Sequence, residues 1–216
     1  MFETDNDQGA HGSVQTYDCR LCGHTGNTTT HVAWEMMFGL GESFTYFECD
    51  SCGSLQIDHI PQDMSPYYPE HYYSLATRDS GPSSGWRKVW DRTSAMFSLR
   101  GPNHLLPAVK HREIYEWLKN AGVHFQSSIL DVGCGSGALL LRLRNDGFTD
   151  LTGYEPHIQE TLSYEGNVTV HNQVDHVKGR FDLVMLHHSL EHMPDQHRAF
   201  KRLAQWVKPG GKLLLR

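Results

Sequence analysis

The stretch "SSILDVGCGSGALLLRLRNDG", residues 127–147, constrains the fold of this chain more than any other. Its apolar opening, "SSILDV", reads as a short buried strand. "GALLLRLRNDG" reads as a helix that ends at Gly147, a residue type suited to the left-handed position just past a helix. Gly133, Gly135 and Gly137 fill the turn between them, where the backbone must approach a ligand closely and a Cβ would clash. A strand feeding a helix through such a loop belongs to a parallel sheet with helices on its faces.

The rest of the C-terminal half repeats the alternation. "DLTGYEP" is a second strand, "HIQETLSY" a short helix, "NVTVHN" a third strand and "RFDLVMLHH" a fourth. A helix from about Asp195 to Val207 carries Phe200, Leu203 and Val207 inward, and "KPGGKLLLR" is a turn followed by a fifth strand. Upstream, residues 105–121 place Ile114, Leu118 and Ala121 on one helical face with Trp117 beside them. The predicted fold class is therefore α/β, a Rossmann-like doubly wound parallel sheet over residues 104–216.

The N-terminal half reads differently. Residues 1–16 lack the basic and apolar regions of a signal peptide and read as a disordered tail. Residues 17–78 hold two cysteine pairs and a tyrosine-rich stretch, "MSPYYPEHYYSL". Residues 79–103 open as a linker, "DSGPSSG", and continue into a short helix, "WRKVWDRTSAMFSL".

Four of the five cysteines form two C-x-x-C-G knuckles, "CRLCG" and "CDSCG". In a chain without a secretory signal, paired knuckles indicate metal ligation rather than disulfides, and the cytoplasm is the default compartment. Cys19, Cys22, Cys49 and Cys52 would give a closed set of four thiolates around a structural Zn2+, with the 26 residues between Cys22 and Cys49 forming the hairpin of a zinc ribbon. His24 and His31 read as surface residues.

Composition excludes some partners. A formal net charge of −6 argues against general nucleic-acid affinity, and no run of 18 apolar residues implies a membrane span.

The glycine loop alone leaves two ligands open. Gly133-x-Gly135-x-x-Ala138 satisfies a loose dinucleotide fingerprint, and Glu155, about 20 positions on, would bind ribose hydroxyls in either case. Asp131 separates the readings, because a carboxylate just before the loop serves a sulfonium and an α-amino group better than a pyrophosphate.

"ILDVGCGSG", "GYEP", "FDLVMLHHSLEHMP" and "VKPGG", in that order, resemble a class I S-adenosylmethionine-dependent methyltransferase. The four-cysteine module resembles that of a bacterial subgroup including sugar C-methyltransferases. The resemblance implies a transferase acting on a small molecule or a glycan or nucleotide-sugar precursor. It places Gly133, Cys134, Gly135 and Gly137 around the methionine and ribose portion of the cofactor, with Asp131 at its amino end. Glu155 and the adjoining Pro156 would meet the ribose diol, Asn172 the adenine edge, and His187, at the end of the fourth strand, the cofactor pocket. A nicotinamide-dependent oxidoreductase and a non-catalytic binding module are the alternative classes.

"HHSLEHMP" carries a second ambiguity. His188-Ser189-Leu190-Glu191-His192 fits H-x-x-E-H, a zinc peptidase motif that needs both histidines on one helical face. In the methyltransferase reading the same residues follow the fourth strand, and Glu191, His192 and His188 become the catalytic candidates, as base, substrate contact or divalent-metal ligands. The family's sheet normally carries two further strands after the fifth, so an exposed fifth strand around Leu213–Leu215 implies a shielded edge or a homodimer.

Overall fold

The computed structural model describes residues 16–26, 28–67, 81–100 and 112–216. The expected tail, most of the tyrosine-rich stretch, and residues 105–111 of the expected helix lie outside these. The chain divides into two compact units: Met1–Pro69 with Pro194–His197, and Glu70–Met193 with Arg198–Arg216.

In the first unit, β1 (Tyr17–Asp18) pairs antiparallel with β2 (Thr25–Gly26). β3 (Thr28–Trp34), β4 (Ser43–Cys49) and β5 (Leu55–Ile57) form an antiparallel sheet in that order. The long segment between the two knuckles is thus the β3–β4 hairpin. Tyr17 stacks on Phe47 at 4.7 Å between ring centroids, and Cys19, Phe47 and Cys49 make the small core.

The second unit opens with α1 (Gly85–Arg100) and α2 (Arg112–Asn120). A sheet follows, built from β6 (Ser128–Val132), β7 (Asp150–Tyr154), β8 (Leu162–Tyr164), β9 (Val168–His171), β10 (Phe181–Leu186) and β11 (Val207–Leu215). α3 (Ala138–Asn145) joins β6 to β7, and α4 (Gln196–Trp206) joins β10 to β11. The spatial order is β11-β10-β6-β7-β9-β8, parallel except for β8.

Strand alternation sorts the core onto two faces. Ile129, Leu151, Val168, Leu183 and Met185 share one cluster with α2 and α3 through Leu118, Leu140 and Leu143. Leu130, Val132, Val184 and Leu186 share the other with Leu203 and Trp206 of α4. The expected stop of α3 is present: Gly147 has φ 104°, its N–H donates to Arg144 O, and Phe148 N–H donates to Leu143 O. This reciprocal pair is a Schellman closure, with the buried Phe148 and Leu143 making its apolar contact.

Three expectations are corrected. "HIQETLSY" is not a helix: Leu162–Tyr164 forms the antiparallel edge strand β8, so the sheet has six strands among the described residues. Leu162 and Tyr164 alternate toward the core, and Gly166 and Asn167, both at positive φ, reverse the chain into β9. Phe200 is 41% exposed rather than inward; α4 meets the core at Leu203 and Trp206. Val207 leaves the helix and starts β11, which pairs with β10 through a register irregularity between Phe181 and Leu183.

At the opposite end of the sheet from the glycine loop, Asp182 accepts hydrogen bonds from Ser128 N and Oγ at 2.8 and 2.9 Å and from Lys208 Nζ at 3.0 Å. These bonds, led by the Ser128 amide, hold its carboxyl below the usual range. The depressed value means its contribution is present above the ordinary carboxylate range and is lost as pH falls through the folded-state value. Asp182→Ala should cost about 1–3 kcal/mol in urea unfolding at neutral pH, and the difference from wild type should shrink in acid.

Candidate functional site

The chain runs outward from β6 through β7 to β9, then returns to place β10 on the other side of β6. That reversal lies at the C-terminal ends of β6 and β10, the position where open α/β sheets bind ligands. Both singled-out segments, residues 133–137 and 187–192, emerge there.

The glycine loop is shaped by its neighbours. Gly133, Gly135 and Gly137 all have positive φ. A Cβ on Gly133 would lie 2.8 Å from Ser189 Oγ and closer still to Ser189 Cβ. Ser189 is buried there because its hydroxyl donates to Val132 O at 2.7 Å, pinning the loop after β10 onto the end of β6. Cys134 turns its side chain toward Gly153 and the core, where burial pushes its thiol well up. Any ligand contact from Cys134 would therefore come from its backbone.

Two buried carboxylates face this loop. Glu155, at the end of β7, accepts Gly135 N–H through Oε2 and His157 N–H through Oε1, both at 3.0 Å. Asp131 is 3% exposed and is the last but one residue of β6. Burial, reinforced by the nearby Glu155 charge, pushes its carboxyl up to about 7. No hydrogen-bond donor or cation among the described residues offsets that burial. Pro156 is exposed beside Glu155, and Asn172 is tied to the 159–161 loop through Gln159 O and Thr161 Oγ1.

The 187–192 segment is not a helix. His188 sits in the left-handed region at φ 52°, and Leu190–His192 is a single 3-10 turn. His188 and His192 therefore do not share a helical face, and the peptidase geometry is absent. His188, Glu191 and His192 are all exposed, with His188 Nδ1 3.7 Å from Glu191 Oε1. His187 points the other way: its Nε2 is buried without a partner, and its ring stacks on Trp117 at 5.5 Å. Desolvation, with Arg216 and His188 nearby, lowers its pKa. The Arg216 guanidinium covers Trp117 at 4.8 Å, completing a flat cationic and aromatic shelf. His187 is a residue the sequence singles out, as part of the cofactor pocket; its stacking on Trp117, the Arg216 cover and the role of Ser189 are not legible there, and only the position of "HHS" after a strand hints at them.

Separately, the four knuckle cysteines converge, with their Sγ atoms within 4.8 Å of one another. Cys19–Cys52 and Cys22–Cys49 are each 3.7 Å apart. A disulfide needs about 2.05 Å, whereas the edge of a tetrahedron with arms of about 2.3 Å is about 3.8 Å, the geometry of zinc thiolate sites. Gly23 and Gly53, with φ 71° and 70°, close the two knuckles through bonds to Cys19 O and Cys49 O. Burial opposes ionisation of Cys19, yet hydrogen bonds from the Cys22 and Leu21 amides, Ser54 and Gln56 bring it down to about 5. The donor set and spacing fit Zn2+. Among the described residues it is the one group of three or more His, Cys, Asp or Glu side chains that converges in this way.

A Rossmann-like sheet with a glycine loop and acidic strand ends at its switch point defines the fold of class I methyltransferases. A family model described as "Methyltransferase domain" matches residues 109–216, half of the 216-residue chain, and the chain belongs to that family. Ubiquinone biosynthesis O-methyltransferases of Yersinia pestis (strain Pestoides F) and Yersinia pseudotuberculosis serotype O:1b (strain IP 31758) are each 38% identical over 130 residues. The match covers 55% of this chain and 53% of theirs, so the chain spans about half the length of these curated relatives. A solved structure, the plantazolicin methyltransferase BpumL in complex with a triazolic desmethylPZN analog and SAH, is 16% identical. It covers 57% of this chain and 55% of that one at a TM-score of 0.31, too distant to carry an argument.

The Gly133–Ser189 contact makes a paired prediction. Gly133→Ala should destabilise the protein by about 2–4 kcal/mol in chemical denaturation, from overpacking and positive φ together. In a Ser189→Gly background the same Gly133→Ala change should cost clearly less than it does in the wild type; if its cost is the same in both backgrounds, the contact is not the cause.

Proposed function

We propose that this chain is a methyltransferase that uses S-adenosylmethionine to methylate a small-molecule acceptor, with a structural Zn2+ in its first unit. The observation that carries the reading is Asp131: a buried carboxylate with neither donor nor cation among the described residues, at the head of a glycine loop, calls for a cationic ligand. An α-amino group beside a sulfonium supplies that charge, whereas a dinucleotide pyrophosphate would add repulsion.

In this reading Asp131 holds the amino end of the cofactor. Gly133, Gly135 and Gly137 let the backbone close around its methionine and ribose portion. Glu155 takes the ribose diol on its remaining lone pairs while keeping both backbone bonds. Asn172 borders the adenine. When bound, the cofactor presents an electrophilic methyl group for in-line displacement, so the protein's part is chiefly to position the acceptor and remove its proton. The acceptor enters over the His187–Trp117 shelf, with Glu191, His192 and His188 at the exposed mouth as base or substrate contacts.

The relatives named for ubiquinone biosynthesis favour a hydroxyl acceptor on a planar ring, which the aromatic shelf suits. A second reading, a sugar of a glycan or nucleotide-sugar precursor, is favoured by the four-cysteine module. Parallel assays with catechols and with nucleotide sugars as methyl acceptors separate the two.

S-adenosylhomocysteine should bind in calorimetric titration and NAD should not; the reverse result would overturn the cofactor assignment. Its affinity should rise with pH up to about 7 and level above it, because the ammonium group needs Asp131 ionised. Asp131→Asn should weaken binding about 10- to 100-fold and flatten that profile.

For the cysteine site, Co2+ replacing Zn2+ should give the absorption of a tetrahedral thiolate complex. Chelation should unfold the first unit, read as protease cleavage within residues 16–67. Retention of structure without metal would remove the zinc assignment.

A further inference from the structure

β5 inverts the usual sorting of a strand between core and water. Leu55 is 56% exposed, while the next residue, Gln56, is 9% exposed and turns its side chain toward the cysteine cluster. Leaving a leucine in water and burying an amide is unfavourable unless the interior holds partners for that amide. Here it does, and one of them is a metal-ligating sulfur.

Both ends of the amide are engaged. Gln56 Oε1 accepts the Arg20 N–H at 3.0 Å, and Nε2 donates to Cys19 Sγ at 3.0 Å and to Ser54 Oγ at 2.8 Å. The Arg20 donor belongs to the backbone and cannot turn away, so it fixes which end of the amide meets the sulfur. A flipped amide would set N–H against N–H and oxygen against thiolate. Ser54 Oγ, having accepted from Gln56, lies 3.1 Å from Cys52 Sγ and 3.5 Å from Cys19 Sγ, so its own proton goes to the nearer sulfur of Cys52. One side chain thus reaches the first knuckle directly and the second through a hydroxyl relay.

We propose that Gln56 is the positioning residue of the zinc site, holding Cys19 and Cys52 as ligands and setting the affinity for the metal; the inference rests on the zinc reading given above. Four thiolates on one dication carry an excess of negative charge. Cys19 and Cys49 are buried, so part of that charge must be met by donors of the chain itself. Gln56 meets it on both knuckles at once, and its bond to the Arg20 amide holds the first knuckle in place. Groups of this kind behind the ligands orient them and tune how tightly the metal is held.

Zn2+ affinity of the full chain, read by competition with a chromophoric chelator, should fall about 10- to 100-fold in Gln56→Met and in Gln56→Glu. The two variants separate the possible roles. Glutamate keeps an oxygen for the Arg20 N–H but sets a carboxylate against the sulfur, so it should be the weaker binder of the two. Were the bond to Arg20 the whole role, Gln56→Glu would bind as the wild type does. Ser54→Ala, which removes the relay to Cys52 and leaves the direct bond, should lose less than either. At saturating Co2+, loss of the N–H bond to sulfur should move the sulfur-to-metal charge-transfer absorption of Gln56→Met to longer wavelength, a readout that repacking alone does not move. Equal affinity in wild type and both Gln56 variants, a glutamate variant at wild-type affinity, or an unmoved absorption would overturn the proposal. Failure of the wild type itself to take up Zn2+ or Co2+ would instead remove the zinc reading, and this inference with it.

Discussion

Ser189 occupies the space that a side chain on Gly133 would need, and much of the second unit's chemistry depends on that contact. Its hydroxyl bond to Val132 O ties the ends of β6 and β10 together where the parallel strand order reverses around β6. Beside these strand ends Asp131 is 3% exposed, and the glycine loop follows its positive-φ path. The segment after β10 must turn sharply to deliver Ser189 inward. The left-handed backbone of His188 is the local expression of that turn, and it leaves His188 outside while His187 faces Trp117.

Much of this was legible in the residues because local rules and tertiary packing agree. The β6–loop–α3 unit, the Gly147 stop and the parallel strands follow from apolar periodicity and glycine placement. β8 was not legible. Three residues are too few to show a period, and what makes "LSY" a strand is its pairing with "VTV", a partner reached only after the Gly166–Asn167 reversal. Phe200 has the right spacing to face inward, but sequence cannot say where along α4 the sheet begins to cover it. The register irregularity that starts β11 at Val207 is likewise set by its neighbour β10.

The two motifs that resembled metal sites diverge for a physical reason. H-x-x-E-H is a spacing rule that means something only on a helix, and the strand before it forces a turn instead. The knuckles carry their own backbone instructions: a glycine after each pair closes a tight turn whatever lies around it, so four sulfurs converge from segments almost 30 residues apart. A motif that encodes its own local geometry can be read from sequence; a motif that borrows its geometry cannot.

Glu155 has a role besides any ligand it meets. Both of its oxygens already hold backbone amides, one from the glycine loop and one from its own strand end. The carboxylate is therefore a brace, and bonds within the chain itself set the shape of the loop, the kind of preorganisation that lowers the cost of binding. Shortening this side chain by one methylene would disturb the shape of the loop before it touched the chemistry of any guest.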